Sequence, residues 1–336
     1  MKETIKNFFK HNYKLIILYI ILISLVVIKL DYQVYAPGGL LNLDSKIKIE
    51  NSYKSKGSLN LTYVRGYKGN IIFVLMSYVM PSWDLIKNED IRYENETEED
   101  IVSRNKVYLS DVNKNAVYVS YKKLGYDASL SEKGVIVLSK TEYANTNLKT
   151  GDIIISVNNI KINNTDELIN IISSLNDGQK ISLNVLRDSK EEECYAVLKK
   201  VDNTVMIGIV IETETELVSD PDVTFKFKKN EMGPSGGLMT ALKIYDMLTE
   251  EDITKGYKIS GTGTISKEGM VGKIDGIKYK LAGAVKNKSQ IFICPSENFE
   301  ECKKEKENNK YEILLIEGDT FDNVLNKLND LPYYDK

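Results

Sequence analysis

The chain has 336 residues, room for two domains of ordinary size once any anchor is set aside. A formal net charge of −3 with 28% charged residues gives no electrostatic footprint for nucleic acid. With one histidine and three cysteines there is no cluster of zinc-ligand spacing, and neither a metal nor another cofactor is expected.

Residues 1–14 carry Lys2, Lys6, Lys10 and Lys14 and read as a short cytoplasmic tail. Residues 15–30 form an apolar run closed by Lys29. Counted from Tyr13 to Leu30 with the flanking lysines snorkelling, a helix here is about 27 Å long, just enough to span a bilayer. The lysines ahead of the run place the N-terminus in the cytoplasm and everything beyond Leu30 outside the cell membrane. A cleaved signal peptide is the rival reading. Against it, the nearest small-residue site ends at Ala36 and is followed by Pro37.

Residues 45–120 read first as strands, with Leu59, Leu61 and Val64 alternating and the apolar run Ile71–Met76 continuing them. Asn88–Asp100 reads as an acidic loop, and the pattern turns helical from Val102 to Leu124. Residues 125–200 form a compact unit: a strand at Gly134–Leu138, then a turn and strand across Leu148–Asn158. Asn164 with Glu167 reads as a capping box that opens the helix Thr165–Leu175, and a strand follows through Ile181, Leu183 and Val185. The layout, with its L-x-x-G-D-x-I run at Leu148–Ile154, resembles a PDZ domain of the bacterial protease type. That resemblance implies that Lys133, Gly134, Val135 and Ile136 capture a peptide C-terminus, the peptide adding as a strand beside Val135–Leu138.

Residues 203–335 return to alternating strands and helices. An apolar run covers Val205–Ile211, and Val223, Phe225 and Phe227 alternate up to Glu231-Met232-Gly233-Pro234-Ser235-Gly236-Gly237. Leu238, Ala241, Leu242, Tyr245 and Leu248 then mark one face of a helix. Ser235 therefore lies beside a helix N-terminus, where free amides and the dipole favour an oxyanion near Gly233 to Gly236. The bland alternative is a Gly/Pro turn that only starts a helix. Beyond it come a strand across Tyr257–Ile265, a helix Asp275–Val285, a strand Ile291–Pro295, and a final strand and helix at Ile313–Ile316 and Phe321–Leu328.

Gly233-Pro234-Ser235-Gly236-Gly237 fits the G-x-S-x-G nucleophile elbow, but that mechanism needs a histidine base. The single histidine is His11, on the far side of the apolar run. A serine nucleophile here needs another base, and a desolvated lysine supplies one. Lys278 and Lys280 lie on opposite margins of the apolar face marked by Ile277, Leu281, Ala284 and Val285. The helical wheel does not choose between them. Gly283 and Ala284 would let another element approach Lys280.

Three separated motifs in order carry a second resemblance: Gly-Pro-Ser-Gly-Gly, then Gly261-Thr-Gly-Thr264, then Val271–Ala284. Together they are similar to the proteolytic domain of Lon-type proteases, which use a Ser-Lys dyad. That resemblance implies Ser235 as nucleophile and Lys280 as base, with Thr262 bonded to the lysine. The family usually has alanine where Gly236 stands and an acidic residue where Met232 stands. The whole arrangement resembles the membrane-anchored PDZ–Lon-like proteases of Gram-positive bacteria, in which the PDZ is an insertion and residues 45–120 belong to the protease domain. The implied fold class is α+β: a Lon-type proteolytic domain with an inserted PDZ domain, preceded by one transmembrane helix. The implied activity is extracytoplasmic endopeptidase action on protein or peptide substrates, independent of ATP, since no G-x-x-x-x-G-K-[ST] occurs. A non-catalytic PDZ adaptor on a Lon-like scaffold is the alternative from another class. The three cysteines allow at most one intrachain disulfide, and none is required.

Overall fold

A computed structural model describes residues 2–80, 82–91, 96–228, 231 and 233–334. Helix α1 (Lys2–Val27) includes Lys10–Val27, an exposed stretch long and apolar enough to cross a membrane, with a mean hydropathy of 1.6. A signal sequence has the same length and composition. The helix stops short of the expected span 15–30, because Lys29 and Leu30 already belong to strand β1 (Lys29–Asn42). Sequence reading missed β1, whose alternation is broken by Pro37-Gly38-Gly39. The pairing register shifts at that point, and a Cβ on Gly38 would lie 1.9 Å from the Tyr63 carbonyl.

Strands β2 (Ile47–Lys48) and β3 (Ser58–Asn70) follow, then helix α2 (Ile71–Val79) and strand β4 (Asp84–Lys87). The run Ile71–Met76 is thus helical rather than extended. Asn70 caps it, its side chain accepting from the Phe73 amide. A short run with no polar residue has no periodicity to separate the two states. Helix α3 (Glu98–Leu124) starts earlier than expected, since Thr97 and Asp100 form a capping box. Of the expected loop 88–100, residues 92–95 lie outside the described residues.

The next unit runs through β5 (Asp127–Lys140), β6 (Asn145–Thr146), β7 (Ile153–Val157), β8 (Ile160–Lys161), α4 (Thr165–Ser173), β9 (Lys180–Arg187) and β10 (Lys190–Val197). It continues with β11 (Lys199–Val201), β12 (Thr204–Met206) and β13 (Ile209–Asp220). Asn164 caps α4 as expected, but Glu167 reaches back to the Asn163 amide instead of closing the box on Asn164. Among the described residues this sheet has the order β13-β5-β7-β9-β10-β6, with β8 on β7. The sheet of this unit takes in β13 and so reaches Asp220. Strand β13 pairs with β5 from Ile209↔Lys140 to Asp220↔Asp127.

That pairing corrects the peptide-binding expectation. The edge beside Val135–Leu138 is held by β13, with Val135 opposite Thr213 and Ile136 opposite Glu212. The other edge faces β7, with Val135 opposite Ile154 and Ile136 opposite Ile153. The Gly134 amide donates to the Asn163 carbonyl at 2.9 Å, and Lys133 Nζ pairs with Glu216 at 2.8 Å. Lys133–Ile136 present no open nest of amides and no free strand edge. The apolar run Val205–Ile211 gave no sign that the chain would continue through alternating Thr and Glu along β5.

The remainder comprises β14 (Thr224–Phe225), α5 (Gly237–Leu248), β15 (Lys258–Gly261), α6 (Ile277–Lys286), β16 (Ile291–Pro295), α7 (Phe299–Asn309), β17 (Leu314–Gly318) and α8 (Phe321–Asn329). Among the described residues six strands form one sheet, β17-β16-β15-β3-β1-β4. The parallel β3–β15 pair joins the N-terminal strands to the C-terminal ones, with Leu59 opposite Ile259 and Leu61 opposite Gly261. One core gathers Leu59, Val112, Ala116, Leu238, Leu242 and Ile293 from both halves, and a separate core lies inside the β5–β13 unit. The β5–β13 ribbon bridges them. Ala128 belongs to the first core, Val135 and Val137 to the second. Cys194, Cys294 and Cys302 are all free and buried.

Candidate active site

Ser235 sits in a 3-10 turn, Pro234–Gly236, that leads directly into α5. Gly233 ahead of it has φ 112° and ψ 161°, a conformation that side-chain-bearing residues rarely adopt. Gly237 permits close packing of α3, since a Cβ there would lie 2.2 Å from Val112 Cγ2. A Cβ on Gly236 would meet Leu61 Cδ1 and Cδ2 at 3.0 Å, so the alanine usual in the resembling family would need Leu61 to shift by a few tenths of an ångström.

The turn is pinned through its carbonyl. Ser235 O accepts from the Gly263 amide at 2.8 Å and from Thr262 Oγ1 at 2.9 Å. Thr262 follows β15 and is fully buried, and its own amide donates to Ile293 O at 3.1 Å. Lys280 Nζ, on α6, donates to the same Thr262 Oγ1 at 3.2 Å. One hydroxyl therefore joins the serine's peptide to the lysine's ammonium nitrogen. Among the described residues Lys280 forms no ion pair.

Lys280 is 5% exposed. Burial strips water from its ammonium and lowers its pKa to about 8, partly opposed by the charge of Asp275 and by Cys294. Lys278, which the helical wheel placed on the other margin of α6, points elsewhere and forms an ion pair with Asp84 on β4. Tyr279 OH also donates to Asp84. The approach expected at Gly283 is made by the backbone of β1, since a Cβ there would meet Gly38 O at 3.3 Å.

Three supporting features escaped the sequence reading. Thr62 Oγ1 donates to Gly261 O at 3.0 Å and Asn60 Nδ2 to Ile259 O at 2.9 Å, fixing the strand that delivers Thr262. The only signal was two polar residues among the buried positions of β3. Glu231 is held by Lys46 Nζ at 2.7 Å and accepts from the Lys228 amide, which anchors the approach to Ser235. Burial raises the Glu231 carboxyl, but the Lys46 hydrogen bond, the Lys228 amide and the charges of both lysines together outweigh it and the net shift is downward. Lys243 on α5 is buried between Asp44 at 2.6 Å and Asp246 at 3.1 Å, tying the Ser235 helix to the loop after β1. Met232, in the place of the family's acidic residue, lies outside the described residues. No group of three or more His, Cys, Asp or Glu that could hold a metal occurs among the described residues.

Residues 122–197 match the family model of the PDZ domain, and residues 227–329 match that of the Lon protease (S16) C-terminal proteolytic domain. No curated protein matches the chain. Among solved structures, the PDZ domain of an SdrC-like protein from Listeria monocytogenes is similar at 26% identity, covering 24% of this chain and 87% of that one with a TM-score of 0.22. The PDZ domain of the Listeria innocua SdrC-like protein is similar at 28%, covering 23% and 92% with a TM-score of 0.22. A solution structure from Geobacillus thermodenitrificans is similar at 25%, covering 23% and 95%, again with a TM-score of 0.22. The buried Thr262–Lys280 contact and the Ser235 turn both lie within the span of the proteolytic-domain match. This chain unites a PDZ domain with a Lon protease (S16) C-terminal proteolytic domain, a pairing consistent with a PDZ–Lon-like protease.

Proposed function

We propose that the chain is an ATP-independent serine endopeptidase with a Ser235–Lys280 dyad, held by α1 on the outer face of the cell membrane. The observation that carries the reading is the desolvated Lys280 ammonium nitrogen on Thr262 Oγ1, the hydroxyl that also fixes the Ser235 peptide. Neutral Lys280 takes the proton of Ser235 Oγ as that oxygen bonds to the scissile carbonyl carbon. The oxyanion forms beside the amides of the turn from Gly233 to Gly236. Lys280 passes the proton to the leaving amine as the C–N bond breaks. A water then attacks the acyl ester, giving its proton to Lys280, and Ser235 is restored. Thr262 directs the lysine throughout, and His11 has no part.

The PDZ unit acts by gating rather than by adding a peptide strand beside Val135–Leu138, since β13 lies there. Strand β13 runs into the segment that ends at Ser235. A shift of the β5–β13 ribbon therefore reaches the core under α5, against which Leu217 and Val223 pack. The same occupied edge weighs against the adaptor reading. The test is turnover of a fluorescent casein by the full chain in detergent, with and without ATP. Equal rates under both conditions and loss of turnover in Ser235→Ala support the proposal. Undiminished turnover in Ser235→Ala overturns it.

A further inference from the structure

Helix α2 is an anomaly for a soluble surface. Residues 71–80 include no charged side chain, and none of the α2 residues is buried. Leu75, Tyr78 and Val79 stand at i, i+3 and i+4 on one face and are 58%, 78% and 80% exposed. Met80 prolongs the patch. Contiguous apolar exposure of this kind marks a surface that something covers.

The register of the sheet says what lies beside it. Lys29, two residues beyond the end of α1, pairs with Asn70, the residue before α2. Both helices therefore leave the same end of the β1–β3 ribbon, and α2 contacts α1 as well as β1, β3 and β4. On the inner side, Trp83 stacks on Tyr67 with centroids 5.5 Å apart, and Tyr67 stacks on Phe73 at 4.5 Å. Tryptophan and tyrosine are the residues that settle at the headgroup level of a bilayer. A short helix with an apolar face beside a spanning helix is the arrangement of an interfacial anchor.

We infer that α2 is a second membrane contact, its Leu75–Tyr78–Val79 face entering the acyl-chain region of the leaflet where α1 emerges. The inference rests on α1 spanning the membrane, as in the proposed function. It adds a contact that fixes the protease sheet at the bilayer surface, where a single spanning helix would leave it free to swing. Substrate chains would then reach Ser235 close to the membrane.

Trp83 is the chain's one tryptophan and stacks on Tyr67, which stacks in turn on Phe73 of α2, so its emission reports on the surroundings of that helix. The full chain is reconstituted in phosphatidylcholine vesicles with and without brominated acyl chains, and retention is read separately by alkaline carbonate extraction. The expected result is retention, strong quenching of Trp83 by the bromines and little by aqueous acrylamide. Leu75→Asp with Val79→Asp should reverse the two quenchers while retention and casein turnover stay unchanged. Leu75→Ser with Val79→Ser, a milder pair, should move them the same way. Retention with acrylamide quenching only overturns the inference and leaves the anchor standing. Protection from both quenchers, with a crosslinked dimer, overturns it in favour of a second copy of the chain. Extraction by carbonate removes the anchor reading, and this inference with it.

Discussion

Replacing Lys280 by methionine tests the buried ammonium without relying on catalysis. With a folded pKa of about 8 against an ordinary value of 10.5, the lysine is protonated in both states below pH 8, and folding bears the full penalty there. Between pH 8 and 10.5 the folded protein has shed the proton while the unfolded chain keeps it, so stability rises with pH. At 1.36 kcal/mol per unit the gain is about 3 kcal/mol. Lys280→Met carries no such term and forfeits only the Thr262 hydrogen bond, about 1 kcal/mol. The variant should thus be about 2 kcal/mol more stable than wild type at pH 7 and slightly less stable at pH 10.5. Pulse proteolysis across a denaturant series at each pH measures the difference. A difference that stays flat between pH 7 and pH 10.5 would refute the reasoning. The same pKa leaves about a tenth of Lys280 neutral at pH 7 and about nine tenths at pH 9, so turnover should rise roughly tenfold over that interval.

Lys280→Arg should abolish casein turnover, because a guanidinium keeps its proton. Thr262→Val should slow turnover about tenfold, the cost of one directing hydrogen bond, and any wild-type rate in its kinetics would contradict that role. Lys278→Ala should leave turnover within about twofold, since the Asp84 pair is part-exposed and distinct from Thr262. Protease shaving of intact protoplasts should remove the chain beyond about residue 30, and a full-length product resistant to shaving but digested after lysis would reverse the topology. Excising residues 127–220 and joining the ends through a few glycines should leave a cooperatively folding protease domain, as Asp127 and Asp220 face each other in register.

The Ser235 turn and α5 were legible because local signals agreed: proline and glycines ahead of a clean apolar face. The choice between Lys278 and Lys280 was not legible from periodicity. What separates them is tertiary: the Gly38 backbone against Gly283, and Thr262 arriving from another strand. Helix α7 escaped because its sequence is almost wholly polar, with Phe299 and Cys302 carrying its contact with the core. Strand β13 escaped for the opposite reason. Its alternating Thr and Glu are half-buried between two units, and neither unit alone reveals the partner strand.

The central β3–β15 pairing has a consequence for how the chain reaches its fold. Asn60 Nδ2 donates to Ile259 O across 199 residues of sequence, so the protease sheet is closed by one of the longest-range contacts available to the chain. Such contacts form slowly, since the entropy of loop closure is lost before any pairing offsets it. The inserted unit shortens that search. Once β13 has zipped along β5, Asp127 and Asp220 are neighbours, and the intervening residues no longer count as slack. Strands β1 and β3 leave the ribosome well ahead of β15 and wait with an unpaired edge, beside an apolar helix. The order of synthesis thus makes the PDZ unit an assembly aid for the protease around it.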